Sequence, residues 1–144
     1  MRKEELNEIY WLNKEIEDLE NRLQELEEED GLKASSFNET IKSNSNQSIV
    51  ERVALKKVEL QNQLYQNKLL ILEEKSKIES FIEKIPNSKL RTIVRLRNID
   101  LLTWEEIAKA LSMTRKTATN QYNEFISSLK KDLEKKEEKN KWIY

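Results

Sequence analysis

A chain of 144 residues with a single glycine, Gly31, and a single proline, Pro86, has almost nothing with which to reverse its backbone tightly. Strand-like alternation of apolar and polar residues is also missing, so the sequence predicts an almost entirely helical protein, all-α in class. Pro86 disfavours α geometry at Ile85 and interrupts a helical ladder, which makes it the expected boundary between residues 1–85 and the rest.

Beyond that boundary, the stretch from Ile85 to Leu129 carries two helix starts. Thr103 followed three positions later by Glu106 forms a capping box, and Leu102 with Ile107 forms the matching hydrophobic staple, so a helix is expected from about Trp104. Ile107, Ala108 and Leu111 give it a buried face, with a small alanine where a second helix crosses closely. It should stop near Ser112. Met113 then plugs the turn, and Thr114 caps a second helix whose apolar face runs through Ala118, Tyr122, Phe125, Ile126 and Leu129. Its other face carries Arg115, Lys116, Thr119, Asn120 and Asn123, donors and acceptors suited to phosphates and base edges. Arg95, Thr103 and Lys130 complete the candidate DNA-binding set. Trp104, in the first turn of its helix, is placed to touch a phosphate or to pack under the first helix of the module.

Charge is distributed unevenly. From Asn87 to Lys131 nine Lys and Arg face four acids, a net of +5, whereas residues 1 to 30 hold four bases and twelve acids, a net of −8. The formal total of −1 hides this asymmetry, which suits a nucleic-acid-binding segment joined to an acidic one.

The run LRTIVRLRNIDLLTWEEIAKALSMTRKTATNQY resembles region 4 of bacterial sigma factors, over roughly a third of the chain. The order of WLNKEIEDLE, a Ser-rich middle and TWEEIA also resembles small phage-encoded proteins laid out like late-gene transcriptional regulators. The resemblance implies a helix-turn-helix in which Arg115, Lys116, Thr119 and Asn120 read the promoter's upstream element. The chain departs from the sigma pattern at Ser112, where a turn glycine is usual, at Ala118, where Val or Ile is usual, and at Gln121, an often basic position.

The N-terminal half reads as two helices. Ile9, Leu12, Ile16, Leu19, Leu23 and Leu26 recur by threes and fours as a three-heptad seam, and Gly31 is expected to end that helix at C′. The acidic run Glu25, Glu27, Glu28, Glu29 and Asp30 would then lie at the helix C-terminus, where the macrodipole disfavours it. From Ile49 a second seam uses Val50, Val53, Leu60, Leu64, Ile71, Ile78, Phe81 and Ile85, weakened where Lys57, Asn67 and Glu74 fall on it. KASSFNETIKSNSNQS between them is too polar to hold a core, which predicts a flexible loop near 32–48 closing an antiparallel coiled-coil hairpin. Leu6, Tyr10 and Trp11 lie off the stripe, on a surface suited to self-association through the N-terminal helices. Residues 134–144 read as a charged helical tail ending in Trp142, Ile143 and Tyr144, and residues 86–133 as the helix-turn-helix domain.

Without Cys or His, the residues that do most zinc binding and nucleophilic catalysis are absent, and one glycine cannot build a phosphate-binding loop. Acidic residues lie on solvated helix faces, so the expectation is no enzyme, no metal and no cofactor. No signal peptide or membrane-spanning run is visible, so a cytoplasmic protein with no membrane partner is expected. Together these features predict a phage-type, sequence-specific DNA-binding regulator of transcription, acting as a dimer or small oligomer on double-stranded DNA, with host RNA polymerase as a further partner. The competing readings are the small DNA-recognition subunit of a packaging terminase and a coiled-coil protein that binds a host factor.

Overall fold

The computed structural model describes the backbone of residues 1–37 and 45–142, and the side chains of 1–29 and 49–142. All regular structure among the described residues is helical: α1 (Lys3–Leu6), α2 (Glu8–Phe37), α3 (Ser45–Glu83), α4 (Ser88–Asn98), α5 (Trp104–Ala110) and α6 (Arg115–Lys141). No helix among them is long and apolar enough to cross a membrane. The chain divides into two compact units, residues 11–72 and residues 1–10 with 73–144. Pro86 lies inside the second of these, between α3 and α4.

In the unit of residues 11–72, α2 buries Leu12, Ile16 and Leu19 and half-buries Leu23 and Leu26, the positions expected from their spacing. On α3, Val53 and Leu60 are buried and Leu64 half-buried, but Val50 is exposed and off the seam. From residue 53 to residue 78 of α3 the covered positions are 53, 57, 60, 64, 67, 71, 74 and 78, an unbroken alternation of fours and threes, and beyond it Glu79, Phe81 and Ile82 are covered as well. The polar members Lys57, Asn67 and Glu74 therefore do not interrupt the repeat. Long polar side chains cover the stripe with their stems while their heads find partners: Asn67 donates to Glu15 on α2 at 3.0 Å, and Glu74 pairs with Lys77 at 3.2 Å. Lys68 and Glu20, 3.9 Å apart, add a second tie between α3 and α2.

Helix α2 does not end at Gly31 but continues to Phe37, and no glycine has a positive φ. A mid-helix glycine costs about 1 kcal/mol against alanine, an amount that a helix 30 residues long absorbs through its packed face. The acidic run at 25–30 consequently lies within the helix, away from the C-terminal dipole. Of the segment 32–48 expected as a loop, residues 32–37 belong to α2 and 45–48 to α3, and 38–44 lie outside the described residues.

In the unit of residues 1–10 and 73–144, α4, α5 and α6 touch one another pairwise. The core collects Ile93 and Val94 from α4, Ile107 and Ala108 from α5, and Ala118 and Tyr122 from α6, together with Leu6, Ile9, Ile78, Ile82 and Ile85. Phe81 meets Phe125 with ring centroids 6.1 Å apart. Helices α4, α5 and α6 are each started by a side-chain cap: Asn87 accepts from the amides of Lys89 and Leu90, Thr103 from that of Glu106, and Thr114 from that of Thr117. Such caps are worth about 1 kcal/mol each and fix where each helix begins.

Candidate nucleic-acid interface

The turn between α5 and α6 is a Schellman motif built without glycine. The amide of Met113 donates to the carbonyl of Ala108 at 3.0 Å, that of Ser112 to Lys109 at 3.4 Å, and Ser112 takes φ 53°. A second left-handed residue, Leu101 at φ 58°, follows α4, and there the amide of Leu102 donates to the carbonyl of Leu96 at 3.0 Å. These two reversals take the chain from α4 into α5 and from α5 into α6. They replace the missing glycines at a conformational cost of about 1–2 kcal/mol each.

Helix α6 is two-faced where it meets this turn. Ala118 and Tyr122 are buried and Phe125, Ile126 and Leu129 half-buried, whereas Lys116, Asn120, Asn123, Ser127 and Lys131 are exposed. Spacing by fours and threes sets those five on one stripe opposite the buried face. Asn120, Asn123, Ser127, Ser128 and Lys131, with Glu124, line a shallow hollow along it.

The sequence-predicted residues fall into two groups. Lys116, Asn120, Asn123 and Lys130 are exposed on α6. Arg115 is exposed in the first turn and pairs with Glu105 of α5 at 3.4 Å, a solvated contact of small value. The others have internal work. Thr103 is the cap of α5, and the Thr119 hydroxyl donates back to the carbonyl of Arg115 at 2.7 Å. Arg95 forms a bidentate pair with Glu79, its Nε at 3.2 Å and Nη2 at 3.1 Å from the two carboxylate oxygens. That hydrogen bonding, ahead of the opposing effect of burial, raises the guanidinium above its ordinary pKa.

The other two arginines of α4 are held in the same way. Arg91 donates to the carbonyls of Ile85 and Pro86, at 2.6 and 3.1 Å. Arg97 donates to the carbonyl of Leu102 at 3.0 Å and lies 4.7 Å over the ring of Trp104. Trp104 meets Tyr122 edge-on at 5.1 Å, so its ring is packed inside the module between α4 and α6.

One residue central to this packing was not singled out from the sequence. Asn98, the last residue of α4, is 2% exposed; it donates to the carbonyl of Leu6 at 3.0 Å and accepts from the Tyr122 hydroxyl at 3.1 Å. A longer contact reaches Asn7 at 3.4 Å. Burial pushes the Tyr122 phenol above its usual pKa, opposed by the bond to Asn98 and by Arg97. The available signal was positional: Asn98 lies four residues after Val94, on the apolar side of its own helix. No protein-family model, curated protein or solved structure matches the chain.

Proposed function

We propose that the chain is a phage-type, sequence-specific DNA-binding regulator of transcription. In this reading α4, α5 and α6 form a helix-turn-helix of the sigma-region-4 kind, and α2 with α3 forms an antiparallel coiled-coil hairpin through which the protein assembles in the cytoplasm. The observation that carries it is the outward stripe of α6: lysine, asparagine and serine side chains at helical spacing, on a helix whose opposite face is fixed by a capped start and a rigid turn. Amides and short hydroxyls read base edges, and lysines anchor phosphates. With α5 short and its turn tight, α6 is the helix free to lie in a major groove. In this reading its action on transcription comes from recruiting, or replacing, contacts to host RNA polymerase.

Selection of bound fragments from a random DNA pool, followed by binding titrations, tests this directly. A specific site is expected, with Asn120→Ala losing about 1–3 kcal/mol on that site and little on random DNA. Lys130→Ala, touching only phosphate, should weaken both alike. Failure to enrich any sequence, or equal losses on specific and random DNA for both variants, refutes the assignment.

A further inference from the structure

Helix α3 carries a second apolar seam on the face turned away from the covered one. Leu55, Val58, Asn62, Tyr65, Leu69 and Leu72 recur by threes and fours, on the opposite side from positions 53, 57, 60 and 64. The five apolar members are 70%, 53%, 62%, 39% and 64% exposed, in chain order. Scattered exposed leucines need no explanation, but a heptad stripe of them does. One helix with two opposed seams is made to be packed from both sides.

We propose that this outer seam pairs with the same seam of a second copy, running antiparallel. Exposure at these levels leaves roughly 500 Å² of apolar side chain per copy, and flanking stems bring a symmetric pair to about 1,000 Å² or more, the range of a specific interface. An antiparallel two-fold order sets Leu55 against the partner's Leu72 and Val58 against the partner's Leu69. Asn62 then faces the partner's Tyr65, where an amide and a hydroxyl satisfy each other. At the edges Arg52 meets the partner's Glu73, and no like charges are opposed. A parallel order sets Asn62 on itself, which a pair of amides accepts, but it also stacks Tyr65 on Tyr65. Its flanking ion pair, Lys68 with the partner's Glu73, would draw on a lysine that already pairs with Glu20. In either order one polar position within the seam fixes register at some loss of stability. The proposal moves the self-association suggested above from the surface of Leu6, Tyr10 and Trp11 to α3, since Leu6 is buried within its own chain, and it rests on that part of the reading alone; a dimer that binds no DNA leaves it intact.

Sedimentation of the full chain tests it. The unaltered protein is expected at twice the monomer mass, and Leu55→Lys with Leu72→Lys at the monomer mass with undiminished helical circular dichroism, because both side chains already face solvent in a single copy. The chain has no cysteine, so orientation can be read by introducing them: Leu55→Cys together with Leu72→Cys should oxidise to a covalent dimer, and neither alone should. A monomer at every soluble concentration overturns the proposal, as does a doubly substituted Lys variant that keeps the full mass, or a Leu55→Cys chain that crosslinks by itself.

Discussion

Asn98 and Tyr122 form the buried polar contact on which the capped three-helix module and the N-terminal residues converge, and its worth can be worked out by group. Asn98→Leu leaves two buried partners unpaired, the Tyr122 hydroxyl and the Leu6 carbonyl. At about 1–3 kcal/mol for each orphaned group, that change should destabilise by about 2–6 kcal/mol. Tyr122→Phe leaves only the Asn98 oxygen unpaired and should cost about 1–3 kcal/mol. With both changes together the phenol and its acceptor vanish as a pair, so only the Leu6 carbonyl is orphaned, and the double variant should lose less than the sum of the singles by the cost of two orphaned groups, about 2–6 kcal/mol. Urea unfolding is the assay, followed by Trp104 fluorescence in a chain carrying Trp11→Phe and Trp142→Phe, because Trp104 lies against Tyr122 and reports this unit. Additivity within about 0.5 kcal/mol would show that the two side chains do not act as a hydrogen-bonded pair.

Three further outcomes follow from the same packing. Ser112→Gly should stabilise by about 0.5–1 kcal/mol, since relief of the left-handed strain, about 1–2 kcal/mol, exceeds the added unfolded-state entropy of glycine, about 0.4–1 kcal/mol; a lower urea midpoint than the parent contradicts the turn geometry. Residues 86–144 alone, lacking Leu6, Ile9, Ile78, Ile82 and Ile85 from their core, should show no cooperative thermal transition by circular dichroism, and a sharp one would mean that the core closes without them. Because Tyr122 titrates higher folded than unfolded, its contribution is fully present below pH 10 and is lost as pH rises through 10 toward the raised folded value. Tyr122→Phe should flatten that alkaline loss, and an unchanged slope would exclude this phenol as its source.

What was legible in the sequence was whatever local chemistry decides. Thr103 and Thr114 cap because a short hydroxyl before an apolar run has one good use, and the α5 and α6 faces followed from spacing alone. The end of α2 was misread because Gly31 is a stop signal only where the chain must turn, and here the packed face of a long helix carries it through. Lys57, Asn67 and Glu74 looked like breaks in the α3 seam because a binary apolar pattern ignores stems and partners such as Glu15 and Lys77. Asn98 escaped for the opposite reason: its role depends on Leu6, 92 positions away, which no local pattern links to it.

The charge count shows most clearly how placement alters a sequence-level argument. Nine basic residues between Asn87 and Lys131 gave that segment its +5, yet Arg91, Arg95 and Arg97 bind carbonyls, Glu79 and the Trp104 ring. Guanidinium suits such work, since its planar fork satisfies fixed acceptors and stacks on rings while staying charged. Lysine, a hydrated point charge on a flexible stem, is what α6 keeps on its outer face, at Lys116, Lys130 and Lys131. The basic side chains left to contact a phosphate backbone directly are therefore fewer than the count implies, and those of α6 lie on the same helix as Asn120 and Asn123, so the residues that would hold DNA and those that would read it are set by a single element.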